Sequence, residues 1–230
     1  MLTLILAEAA LETLPKNLWN HSSIQNYSKK HTKLPGQILL DRSLHHSVMR
    51  TLENNKKRGR PDITHFVLLE ALGSPLNKEG LLQIYVHTLN NYVITVNPSV
   101  RLPRNYARFI GLMEQLFYNK KVPPEGEILL ALKQKTLKNL LKDEKIDHVL
   151  IFSRTGVPKT IEEAIFSQQK SKNIAVIVGG FPHGNFSKTT LQQGNEFICV
   201  DYEMLDAWIL TSRIIYEFEK KLSIPVKRIS

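Results

Sequence analysis

The chain has 230 residues, with 31 Lys and Arg against 21 Asp and Glu and a formal charge of +10. A hydrophobic share of 42% excludes a disordered chain and supplies a packed core. The basic excess calls for an anionic partner (RNA, DNA or a membrane surface), yet no run of about 18 apolar residues is present to cross a membrane.

In chain order, the start carries Glu8 and Glu12 and has no basic leader, so it reads as a strand over 3–9 and not as a signal peptide. Residues 20–36, polar and closing on Pro35-Gly36, read as a long loop or insertion. Leu44, Val48 and Leu52 stand at helical spacing and predict a helix over 43–56. The apolar run 65–72 has strand length. Strands over 83–88 and 92–97 flank Asn90-Asn91, a hairpin turn. A helix over 105–118 puts Phe109, Leu112, Met113 and Leu116 on one face. After the Pro-rich break at 122–126, strands over 128–132, 148–152, 174–178 and 197–200 alternate with helices over 136–142, 161–169 and 205–221. That alternation predicts an α/β fold with a parallel sheet covered by helices on both faces. The lone Cys199, inside an apolar run, cannot form an internal disulfide; it reads as a buried structural thiol and fits a cytosolic location.

In such sheets ligands bind beyond the carboxyl ends of strands, which singles out the loops after Phe152, Val178 and Val200. The second reads Gly179-Gly180-Phe181-Pro182-His183-Gly184, and its glycine pair lets backbone approach a ligand. It is neither the dinucleotide fingerprint nor a P-loop. His45 and His46 are adjacent, and His65, His87 and His183 are isolated, so no metal site is expected.

Two arginine clusters stand out: Arg58-Gly-Arg-Pro-Asp62, and Arg101, Arg104 and Arg108. The planar guanidinium fork matches phosphate oxygens and stacks on bases, so the pair suggests a surface for nucleic acid. Solvated loops with incidental charge are the alternative. Asp62 either braces Arg60 or caps a turn after Pro61.

The segments 58–66 (RGRPDITHF) and 71–76 (ALGSPL), then Asn97-Pro98, Arg101, Pro103-Arg104 and Arg108-Phe109, resemble the ribosome-biogenesis pseudouridine methyltransferases of the SPOUT class, the Nep/Emg family, in its shorter archaeal form. The Val178–Gly184 loop and Asp206-Ala-Trp208 agree, so the likeness covers nearly the whole chain. It implies one SPOUT-type domain over 1–230: family-specific, partly β-rich insertions and RNA-binding segments within 20–125, and a trefoil-knotted, cofactor-binding part over 126–230. It implies S-adenosylmethionine as cofactor, with Phe152, Gly179, Gly184, Val200, Asp201, Tyr202, Glu203, Met204 and Leu205 lining its site. It implies contacts to small-subunit ribosomal RNA from Arg60, Arg101, Arg104 and Arg108, with Arg60 and Asp62 as catalytic residues. A homodimer in the cytoplasm, with no metal and no membrane partner, completes the expectation. Two alternatives stay open at this point: a SPOUT methyltransferase with another target base or ribose, and a non-catalytic assembly factor on the same RNA.

Overall fold

A strand with large apolar side chains on both faces needs cover on both sides, and the first strand, β1 (Leu2–Ala9), is buried at every position. The computed structural model describes residues 1–166 and 173–229. After β1 come α1 (Ser22–His31), α2 (Arg42–Met49), α3 (Pro61–Gly73) and α4 (Pro75–Lys78). The hairpin β2 (Leu82–Thr88) and β3 (Tyr92–Val96) follows, then α5 (Tyr106–Asn119), β4 (Lys121–Val122) and β5 (Leu130–Gln134). The remainder runs α6 (Leu137–Asp143), β6 (His148–Pro158), α7 (Ile161–Phe166), β7 (Ile174–Gly179), α8 (Lys188–Leu191), β8 (Glu196–Cys199), α9 (Ala207–Lys221) and α10 (Ile224–Lys227).

These strands form one sheet in the order β4-β5-β3-β2-β1-β7-β6-β8. The five from β2 to β8 pair in parallel, as expected. The other three extend the β2 edge antiparallel, so the sheet as a whole is mixed. Period-two alternation sends Leu4 and Leu6 of β1 to the face covered by α3, α5 and α9. Ile5 and Ala7 point to the opposite face, against α6. A third, smaller core joins Leu14, Leu18, Ile24, Ile38, Val48, Met49 and Leu52.

Four readings are corrected. Segment 20–36 contains α1, which buries Ile24 and Ser28 and is capped by His21; so few apolar positions leave little periodic signal. The run 65–72 belongs to α3, which starts on Pro61 with Asp62 in its first turn. That helix is apolar on nearly every side, and periodicity cannot tell such a segment from a buried strand. The helix α2 stops at Met49; Leu44 stays exposed while Val48 and Leu52 reach the third core. Strand β6 runs on to Pro158, through what reads as a loop after Phe152. The helix expected over 161–169 is seen to Phe166, and its last residues lie outside the described ones. Cys199 is buried, as expected.

At the end of β1 and just beyond it stand two buried acids, Glu8 and Glu12. Glu8 adopts a left-handed φ of 51° beside an irregularity in the β1–β2 pairing. Its carboxylate takes Lys57 Nζ at 2.6 Å and the Ser187 backbone N–H at 2.7 Å. Arg58 closes a two-bond fork on Glu12, Nε to Oε1 at 2.7 Å and NH2 to Oε2 at 2.6 Å. Asn90 donates to the same oxygen at 2.9 Å. Arg58 is therefore a structural residue turned inward, and only Arg60 of its cluster reaches outward. Arg58→Lys keeps the charge and loses the fork, so we expect it to cost about 1.5–3 kcal/mol of stability in urea unfolding; an unchanged midpoint would show that Arg58 is not part of the frame.

Candidate active site

Three segments at the carboxyl edge of the parallel strands enclose a cavity of about 330 Å³, a volume at the lower end of small-molecule sites. The first is a detour of β6. Its residues Leu150–Phe152 pair with β8, the chain swings out over 153–156, and Val157–Pro158 return to the same partner. Gly156 makes the return possible: a Cβ there would stand 2.5 Å from the backbone nitrogen of Ile198. The second segment follows β7. Gly180 is stitched to β1 by Gly180 N–Ala7 O and Ala10 N–Gly180 O, both 2.8 Å. A Cβ on Gly180 would meet the Ala9 Cα at 2.7 Å, so this is where the glycine pair admits close backbone approach. On Gly179 a Cβ would face only the rings of Phe181 and Phe186, at 3.1 and 3.4 Å. The third segment, 200–206, carries the chain from β8 into α9.

The structure brings nearly all the residues expected of a cofactor site to this cavity. Phe152 walls it from β6, Gly179 and Gly184 from the second segment, and Val200, Asp201, Glu203, Met204 and Leu205 from the third. Tyr202 is the exception: it is not on the wall and is 80% exposed. Phe181, Pro182 and His183, for which the sequence suggests no role, also line the cavity, as do Arg154 and Trp208. Arg154 lies in the stretch after Phe152 and Trp208 in the first turn of α9, and only the fold brings both to one cavity.

Arg60 and Ile63 reach the cavity from α3. Arg60 is the N-cap residue of that helix and Asp62 sits in its first turn. Their side chains form a fork: Nε to Oδ1 at 2.8 Å and NH2 to Oδ2 at 2.7 Å. The bond to Asp62 raises the guanidinium above its ordinary value and keeps it charged. Asp62 is thus a brace for Arg60 and not a turn cap.

The second arginine cluster is mounted beside this pair. His65, buried in α3, donates from Nε2 to the Pro103 carbonyl at 2.7 Å. Tyr106 donates to Asp41 at 2.6 Å, and burial together with that bond pushes its phenol well up. Asn105 caps α5 by accepting from the Arg108 backbone N–H at 3.1 Å. The backbone is fixed while Arg101, Arg104 and Arg108 stay exposed, and no ion pair among the described residues engages them. Among the described residues no group of three or more His, Cys, Asp or Glu could hold a metal ion, and no helix is long and apolar enough to cross a membrane.

Fold and cavity define an α/β protein with a ligand cavity at the carboxyl edge of its parallel strands, rimmed by guanidinium groups. Residues 4–219 match the model of the EMG1/NEP1 methyltransferase family. The ribosomal RNA small subunit methyltransferase Nep1 of Pyrococcus furiosus is 46% identical over 221 residues, 95% of this chain and 96% of the relative. The protein of the same name from Thermococcus sibiricus is 44% identical, covering 96% and 99%. The crystal structure of Archaeoglobus fulgidus Nep1 bound to S-adenosylhomocysteine superposes with a TM-score of 0.85 at 36% identity, over 96% of this chain and 98% of that one. The chain belongs to the EMG1/NEP1 methyltransferase family.

The two glycines separate folding from binding. Gly179→Val presses on the Phe181 and Phe186 rings of the cavity wall and should remove S-adenosylhomocysteine binding in calorimetry while the chain still folds. Gly180→Ala forces apart β1 and the second segment and should destabilise the chain by about 1–3 kcal/mol.

Proposed function

We propose that this chain is an S-adenosylmethionine-dependent methyltransferase that modifies the first ring nitrogen of a pseudouridine in small-subunit ribosomal RNA, in ribosome biogenesis. The observation that carries this reading is the placement of the braced Arg60 on the wall of the cavity that the three segments enclose. The family membership supports it, and so does the S-adenosylhomocysteine held by the Archaeoglobus relative.

The residues present fit the cofactor. A wall without a side chain at Gly179, aromatic surfaces at Phe152 and Trp208, and the carboxylates of Asp201, Glu203 and Asp206 suit a flat base, a ribose and a cationic sulfonium tail. Phe152, Gly179, Gly184, Val200, Asp201, Glu203, Met204 and Leu205 would hold it; Tyr202, implied with them, stands off the wall. When bound, the cofactor supplies a methyl group already activated on sulfur.

The chain's own side chains do the rest. Arg101, Arg104 and Arg108 grip phosphates and loop bases of the RNA, and Arg60 grips it at the cavity mouth. The target base leaves its stack and enters the cavity, with its ring nitrogen held in line for transfer. That nitrogen must lose its proton to solvent at the cavity mouth, and the Arg60 guanidinium stabilises the ring anion that forms. Asp62 keeps the fork of Arg60 aimed during this step. The same reading includes a homodimer, a cytoplasmic setting, a single domain over 1–230 and a trefoil knot within its cofactor-binding part, 126–230.

Two measurements test it. Replacing Arg101, Arg104 or Arg108 by Ala should weaken binding of a small-subunit RNA hairpin and lower its salt slope by about 1 per residue. Stability should move by less than about 0.5 kcal/mol; a larger loss at normal RNA affinity would make these arginines structural. The second concerns the base. In uridine the first ring nitrogen bears the sugar and has no proton to lose; in pseudouridine it is free. A hairpin with uridine at the target should bind nearly as well and accept no methyl group there. Equal methylation of both hairpins would assign the chain another target, and cofactor binding without transfer to either would favour an assembly factor.

A further inference from the structure

We propose that Lys57 and Glu8 are positioning residues for the cofactor: a buried clasp that holds the cavity segment 181–187 in its binding shape. The proposal rests on the assignment of that cavity to the cofactor.

Four contacts converge on the pair. Lys57 Nζ lies 2.6 Å from Glu8 Oε2 and 4.1 Å from the centre of the Phe181 ring, a cation–π contact at one end of the segment. The Lys57 stem runs under Gly184, where a Cβ would meet Lys57 Cε at 3.2 Å. Gly184 has a φ of +95°. The other carboxylate oxygen of Glu8 accepts the Ser187 backbone N–H at 2.7 Å, at the far end of the segment. One ion pair thus touches the beginning, the middle and the end of a seven-residue stretch that contributes several side chains to the cavity wall. Both partners are shielded from solvent, with side-chain exposures of 17% and 5%. Burial pushes the Glu8 carboxyl up, but the bonds from Lys57 and Ser187 outweigh it and hold the group below its ordinary value. The left-handed backbone of Glu8 is what turns its side chain across to the β7 loop.

The neighbouring pair supplies the contrast. Arg58 and Glu12 are one position along from Lys57 and close to Glu8, are equally shielded, and touch no residue of segment 181–187 through the bonds they make. If ion pairs here served only to hold the fold, both would affect the same measurement. The clasp predicts that they separate.

The test compares Lys57→Met, Lys57→Arg, Glu8→Gln and Arg58→Lys in the full chain. It measures S-adenosylhomocysteine affinity through Trp208 fluorescence, the KM for S-adenosylmethionine, kcat, RNA affinity and the unfolding midpoint. Lys57→Met should raise the dissociation constant and the KM about tenfold while kcat at saturating cofactor and RNA affinity hold. Lys57→Arg should recover most of the loss. Glu8→Gln, which still accepts from Ser187, should show the same change in KM to a smaller degree. Arg58→Lys should lower the midpoint and leave cofactor affinity within about twofold. Cofactor affinity unchanged in Lys57→Met and Glu8→Gln, or a fall in kcat at constant KM, would overturn the clasp. Gly179→Val separates the two levels: if it still binds S-adenosylhomocysteine as the wild type does, the cavity assignment fails and the clasp falls with it; if it does not bind while Lys57→Met binds with wild-type affinity, only the clasp fails.

Discussion

Everything functional in this chain is hung from the place where the central strand leaves the sheet. β1 is paired on both sides, to β2 and β7, so its end cannot shift without disturbing both neighbours. At that end it sets two carboxylates into a low-dielectric interior, and a buried carboxylate without a partner is among the costlier features a fold can carry. Both are neutralised by consecutive cations, Lys57 and Arg58. The demand for neutralisation fixes the course of residues 57–60 across the top of the sheet. Two residues after Arg58 the chain reaches Arg60, whose position at the cavity is therefore set by two ion pairs that do not themselves line it.

The same end of the sheet explains where the cavity lies. Parallel strands deliver their loops to one edge, and β6, β7 and β8 all turn there. Of the three resulting segments, two are held by backbone constraints that allow only glycine: Gly156 against β8 and Gly180 against β1. The third is held by its continuation into α9, whose buried face, Ile214, Ile215 and Phe218, packs in the main core. The walls of the site are in this way extensions of the rigid frame, which is what holding a base and a methyl donor in line requires.

The arginines divide by what surrounds them. Arg58 meets a buried acid and becomes part of the frame. Arg60 meets Asp62 at the cavity mouth, where the pair is about one-third exposed, and keeps its charge in a fixed orientation. Arg101, Arg104 and Arg108 meet no acid among the described residues, although the backbone beneath them is held by His65, Tyr106 and Asn105. A fixed base under guanidinium groups that no acid engages leaves their charge unneutralised close to the braced pair, as the proposed grip on RNA requires.

Sequence alone determined the alternation of strands and helices from residue 126 onward, the hairpin at Asn90-Asn91, the helix bearing Phe109 and Met113, and the loops after Val178 and Val200, because each is written in local periodicity or in Gly, Pro and Asn at turns. The family likeness lay in short motifs and could be read there too. The helical nature of α3 was hidden because its outward stripe carries the apolar Phe66 and Leu69 beside Glu70, so no polar face betrays its period. α1 was hidden because it buries only one apolar residue, Ile24. Tertiary structure decided the rest: that β3, β5 and β4 extend the sheet antiparallel, that Tyr202 points away while Arg154 and Trp208 face the cavity, and that Arg58 turns inward while Arg60 does not. Several of these depend on partners far off in sequence, such as β5 for β3 and Glu12 for Arg58, and no local pattern encodes which distant acid a basic side chain will meet.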